Sequence, residues 1–135
     1  MTSEVTYTGD LRTEAVHLRS GNRIITDAPV DNRGKGEAFS PTDLVATALA
    51  SCMLTIMGIR ARDKGWAIEG TRATVNKIMA SNPRRIARVE IDIHLPSGKT
   101  WTEEQRQTLE EAARTCPVCR SLHPDLEVAV QFHWD

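Results

Sequence analysis

The chain has 135 residues, 40% hydrophobic and 26% charged, a composition that suits one globular domain spanning 1–135 with a core of its own. Its 17 lysines and arginines against 18 acids leave a net charge of −1, which carries no electrostatic footprint for nucleic acid. The opening MTSEVTYTGD is polar and acidic rather than leader-like, so the three cysteines are expected in a reducing cytoplasm, where thiols are more often reactive or simply packed than locked in disulfides.

In chain order, the first third predicts short strands. Val5 and Tyr7 alternate with polar neighbours, TGD breaks the run, TEAVHLRS resumes it, and SGN turns into RIITDA. The stretch PVDNRGKGEAFS has two glycines and no periodicity. A connection this long inside a domain is expected to be mobile or functional.

A long helix follows. Ser40 is placed as its N-cap, Pro41 as its first residue, and Asp43 closes an S-x-x-D capping box. Lys64 and Gly65 supply a terminal cation and a C′ glycine. The charge-free run Leu44 to Ile59 is interrupted by Thr47, Ser51 and Thr55, and it falls short of the roughly 20 apolar residues of a membrane span. Apolar side chains lie on nearly every face of this helix, which predicts burial all round and, in so short a chain, a dimer partner.

TRATVNKIMA predicts a strand, NPRR a turn, and IARVEIDIHL a strand with Val89, Ile91, Ile93 and Leu95 inward and Arg88, Glu90, Asp92 and His94 outward. A second helix starts at a capping box of Thr102 and Gln105, and Leu109, Ala112, Ala113 and Cys116 share its inner face. Pro117 ends it and opens a short helix, PVCRSL. A last strand turns Leu126, Val128, Val130, Phe132 and Trp134 inward. The order of elements predicts an α+β domain with antiparallel sheet covering two helices.

The segment RTCPVCRSL holds a C-x-x-C. A redox motif of the thioredoxin kind follows a strand and opens a helix in a βαβ unit, whereas Cys116 follows a helix and no βαβ unit is expected around it. Zinc needs about four ligands, and beyond Cys116 and Cys119 the chain offers Cys52 and four scattered histidines, without a second C-x-x-C. Cys52, within the long helix, is explained by packing alone, since free cysteine behaves as a small buried hydrophobe. A reactive Cys52 needs a cation or a hydrogen-bonding network from elsewhere, because it lies about three turns beyond the helix start.

FSPTDLVATALASCM resembles the central-helix motif of the OsmC/Ohr family (osmotically inducible protein C and organic hydroperoxide resistance protein). There a loop ending in Ser/Asn-Pro leads into a small-residue-rich helix, and the peroxidatic cysteine stands eleven residues past the proline, as Cys52 does past Pro41. RTCPVCRSL resembles the family's second motif, a Cys-Pro near the end of the next long helix, with Cys119 where serine is often found. The strand and helix order matches as well, so the resemblance spans nearly the whole chain and is closer to an OsmC-like branch than to the hydroperoxide resistance branch.

The resemblance implies an OsmC-like fold and an intertwined homodimer, with buried central helices packed together. It implies thiol-dependent reduction of peroxides, often organic, with Cys52 as peroxidatic nucleophile, Cys116 as the thiol that condenses with it, and an external dithiol as reductant. Cys119 is given no role by the resemblance. No cofactor or metal is implied. The activating arginine of the first strands matches Arg12 in YTGDLR best and Arg19 next. Where hydroperoxide resistance members carry a glutamate after the proline, this chain has Thr42, and the neighbouring Asp43 is the candidate partner for the arginine. The rival expectations are a non-catalytic protein of the same fold that holds a small apolar ligand at the dimer interface, and a C-P-V-C oxidoreductase that forms a Cys116–Cys119 disulfide on oxidation.

Overall fold

Three strands open the chain as an antiparallel meander: β1 (Ser3–Gly9), β2 (Arg12–His17) and β3 (Arg23–Asp27). The computed structural model describes residues 1–134, in two units divided between Val45 and Ala46. The β1–β2 turn takes Gly9, Asp10 and Leu11 through the left-handed region, at φ 97°, 54° and 61°. Glycine and aspartate tolerate this; a leucine there is uncommon.

The long connection after β3 is closed back on the sheet. Asp27 N–H donates to the Phe39 carbonyl at 3.1 Å, Ala28 N–H to Leu11 at 3.0 Å, and Gly36 N–H to Ala28 at 3.2 Å. A Cβ on Gly34 would stand 1.7 Å from the Ala28 carbonyl oxygen, so only glycine permits the approach.

Helix α1 (Pro41–Lys64) begins and ends as its sequence predicts. Ser40 Oγ accepts from Asp43 N–H and Asp43 Oδ2 accepts from Ser40 N–H, both at 3.0 Å. At the other end Gly65 has φ 75°, and Trp66 N–H donates to Ala61 at 2.8 Å. Burial is one-sided. Ala46, Leu49, Ala50, Met53, Met57 and Ala61 form a stripe at helical spacing that is 4% exposed or less. Val45 and Ile59 are exposed, and Leu44, Leu54 and Ile56 are half-buried. The expected burial on every face is therefore not met within one chain. By length and composition α1 could also cross a membrane, but its stripe belongs to a protein core.

That core is built with β4 (Arg72–Ala80), β5 (Arg85–His94), α2 (Glu103–Arg114), α3 (Pro117–Ser121) and β6 (Glu127–His133). The sheet order is β4-β5-β6. Val89, Ile91, Ile93 and Leu95 alternate inward as expected and join the α1 stripe, Leu109, Ala113 and Cys116 in one cluster. The Thr102–Gln105 capping box forms in full. One expectation is corrected: β4 and β5 pair antiparallel, but β5 and β6 pair parallel. Helices α2 and α3 carry the chain back along the sheet, so β6 enters in the direction of β5 and a strand–helix–strand crossover results. The parallel register sets His94 beside His133, their rings stacked at 4.4 Å.

Leu109 is fully buried at the centre of this cluster. Leu109→Ala should destabilise the chain by ~2–5 kcal/mol, the range for a buried leucine whose cavity does not collapse. Urea unfolding checks it, as a lower midpoint at unchanged slope.

Candidate functional site

Cys52 and Cys119 both neighbour Cys116. Cys52 lies half-buried on α1, beside the buried Met53, and belongs to the margin of the core. Cys116 is 0% exposed and stands just before α3 with extended backbone, Pro117 taking the first helical position. Its Sγ caps the helix by accepting from Cys119 N–H at 3.2 Å. All three are free thiols. The Cys116 thiol is pushed up to about 11, first by burial, against the pull of the Cys119 amide. The Cys52 side chain, through hydrogen bonding and charge, and Cys119, through charge, add to the rise. Cys116 therefore has both other thiols as neighbours.

The sequence brought Cys52 and Cys116 together through resemblance alone, and the resemblance gave Cys119 no role. The C-x-x-C spacing and Pro117 were the available signals that Cys119 would sit one turn from Cys116 on a new helix. The absence of a βαβ unit around the motif, expected from the sequence, is overturned by the parallel crossover from β5 to β6. Cys116 still follows α2 rather than a strand. Among the described residues no three His, Cys, Asp or Glu side chains are grouped to hold a metal ion.

The arginines fare differently. Arg12 opens β2 opposite Asp27, and this cross-strand register makes a two-pronged ion pair. Arg12 Nε donates to Asp27 Oδ1 at 2.6 Å and Nη2 to Asp27 Oδ2 at 2.9 Å. Nη2 also donates to Glu37 Oε1 at 2.9 Å, and the Glu37 amide donates to Asp27 Oδ2 at 3.0 Å. The Asp27 side chain is fully buried. The Arg12 hydrogen bonds hold the Asp27 carboxyl below the ordinary carboxylate range, and Asp27 in turn raises Arg12. Arg19 is exposed in the turn between β2 and β3. Asp43 serves the α1 capping box, and Thr42 Oγ1 lies 3.2 Å from Ser40 Oγ. Asp27 and Glu37 went unnoticed in the sequence, because only the strand register and the folded-back loop bring them to Arg12.

A carboxyl held low stabilises the fold above its unfolded value of about 3.9, and the contribution is lost as pH falls further toward the folded value. Asp27→Asn should lower the thermal midpoint at neutral pH, with the deficit against wild type shrinking on acidification below about pH 4. A deficit that stays constant through that range would place its cause outside the ion pair. A raised thiol has the opposite sign. Burial of neutral Cys116 stabilises the fold below about 8.5, and this is lost as pH climbs toward about 11. Iodoacetamide should accordingly label Cys116 last of the three thiols in native protein; peptide mapping that finds it labelled first would contradict its burial.

Residues 34–131 match the family model described as OsmC-like protein. Among solved structures, a candidate osmotic stress induced and detoxification response protein from Psychrobacter arcticus 273-4 is 56% identical, with a TM-score of 0.94 over 98% of this chain and 96% of that one. An organic hydroperoxide resistance protein OsmC from Legionella pneumophila is 16% identical, with a TM-score of 0.77 over 99% and 98% of the two chains. An organic hydroperoxide resistance protein from Elizabethkingia anophelis, with thiocyanate bound, is 16% identical, with a TM-score of 0.76 over 100% and 97%. These last two likenesses are likenesses of fold. No curated protein matches the sequence. The family match covers more than half of the chain, and with the α+β architecture above it shows that this protein belongs to the OsmC-like family.

Proposed function

We propose that this chain is a thiol-dependent peroxidase acting on organic hydroperoxides. The observation that carries the reading is Cys52 beside a fully buried Cys116 at the edge of an apolar core. Family membership supports it, as do the names of two fold neighbours as organic hydroperoxide resistance proteins.

The Cys52 thiolate attacks the terminal peroxide oxygen, the O–O bond breaks, and the departing alkoxide takes up the proton that Cys52 gave up on ionisation, leaving as the alcohol. Cys52 is then a sulfenic acid. The Cys116 sulfur attacks the Cys52 sulfur, the sulfenic hydroxyl departs with the Cys116 proton as water, and a disulfide forms. An external dithiol restores both thiols by exchange. Arg12 is the proposed activating cation in preference to Arg19, since its guanidinium is held in a fixed geometry by Asp27 and Glu37. Met53, Leu54, Ile56 and Val118 share the cluster with Cys52 and favour an alkyl or lipid hydroperoxide over hydrogen peroxide. The chain acts as a homodimer through the apolar face of α1 outside the core, where Val45 and Ile59 are exposed.

A second reading is binding of a small apolar molecule without turnover. In its favour is an open groove of about 640 Å³ lined by Leu54, Ile59, Trp66 and Ile68.

Consumption of tert-butyl hydroperoxide and of hydrogen peroxide, with dithiothreitol as reductant, separates the two readings. Wild type should turn over the organic peroxide faster, Cys52→Ser should fall to the rate of free dithiothreitol, and Arg12→Ala should lose roughly 10²–10³-fold in kcat/KM. Wild type no faster than free dithiothreitol would leave the binding reading standing. Sedimentation of the same wild-type protein tests the dimer.

A further inference from the structure

Cys119 has no part in the peroxidase cycle above, yet its backbone N–H is bonded to the Cys116 sulfur. It occupies the third position of α3, three residues past Cys116. Residues three apart are neighbours across a helical turn, and a cysteine just before a helix with a second at its third position has the C-x-x-C spacing of redox dithiols. Cys116 thus has Cys52 of α1 on one hand and Cys119 of α3 on the other as neighbours. Cys116 is fully buried, whereas Cys119 is only half-buried.

We infer that Cys119 is a relay thiol that takes over the disulfide formed between Cys52 and Cys116 and presents it to the external dithiol. The inference rests on the peroxidase reading. The step is an exchange: the Cys119 thiolate attacks the Cys116 sulfur, the Cys116–Cys119 bond forms, the Cys52–Cys116 bond breaks, and Cys52 leaves as thiolate. The proton given up by Cys119 is available to Cys52. No net oxidation or reduction occurs, and no further oxidant is needed.

Two features give the exchange its direction. The Cys119 amide already donates to the sulfur that is attacked, so the two residues are held together before oxidation. Burial also makes Cys116 the poorer leaving group, with its thiol at about 11, so an exchange at this disulfide expels Cys52 rather than Cys116. The relay moves the oxidised bond from a pair that includes the α1 helix to one confined to the start of α3. It also frees Cys52 while the chain is still oxidised.

That last consequence is measurable. Without reductant, wild type should consume a second equivalent of tert-butyl hydroperoxide per chain, because Cys52 is released to react again. Cys119→Ser should stop after the first, with Cys52–Cys116 as its only disulfide, and its reduction by dithiothreitol should slow by about tenfold or more. Acid-quenched samples mapped by mass spectrometry should show Cys52–Cys116 first and Cys116–Cys119 later in wild type.

The same mapping after diamide, which oxidises dithiols without peroxide, separates the relay from the peroxidase. If peroxide is not consumed but diamide gives Cys52–Cys116 first and Cys116–Cys119 later with Cys52 free again, the peroxidase reading fails and the exchange between the pairs stands. Wild type in which Cys119 remains alkylatable while Cys52–Cys116 persists, under either oxidant, overturns the relay. So does a Cys116–Cys119 bond that forms in peroxide without Cys52–Cys116 before it, since Cys119 would then be half of an independent pair.

Discussion

The burial of one stripe of α1 is the constraint on which the rest of the second unit depends. Ala46, Ala50 and Ala61 are small, and Leu49, Met53 and Met57 fill the space between them. Small residues allow close backbone approach, and methionine adapts to irregular gaps. Cys52 immediately precedes Met53, so the rotation that buries Met53 leaves Cys52 at the margin of the core rather than at its centre. The same rotation leaves Val45 and Ile59 outside the core.

The first unit is organised by charge instead. Asp27 is buried without a solvent contact, and a buried carboxylate is tolerable only when its oxygens are satisfied. Arg12 supplies two hydrogen bonds and the Glu37 amide a third. Glu37 is reached only because the loop after β3 folds back, and that return depends on Gly34 passing against the Ala28 carbonyl. The ion pair and the loop therefore depend on each other. A guanidinium fixed at three points loses little freedom when it meets a further anion.

Cys116 combines two properties that oppose each other. Burial favours the neutral thiol, whereas the amide at the start of α3 favours the thiolate, and burial prevails. A thiol so placed is shielded from reagents in solution. Proline at the next position lets α3 start directly behind the cysteine, because its missing N–H would have had no helical partner.

Much of this was legible in the sequence, where local rules decide. The capping boxes at Ser40–Asp43 and Thr102–Gln105, the glycine after Lys64, the inward alternation from Val89 to Leu95 and the inner face of α2 each depend on residues a few positions apart. The resemblance carried by Pro41, Cys52 and Cys116 was legible for the same reason, as spacing within short motifs. The tertiary structure alone decided what depends on distant partners. The direction of β6 follows from the path of α2 and α3 over the sheet, and the one-sided burial of α1 from which elements share its core. Asp27 and Glu37 reach Arg12 through strand register and a returning loop, over separations of 15 and 25 residues. Side-chain periodicity records which face of an element is apolar; it holds no record of what that face, or a charge beside it, will meet.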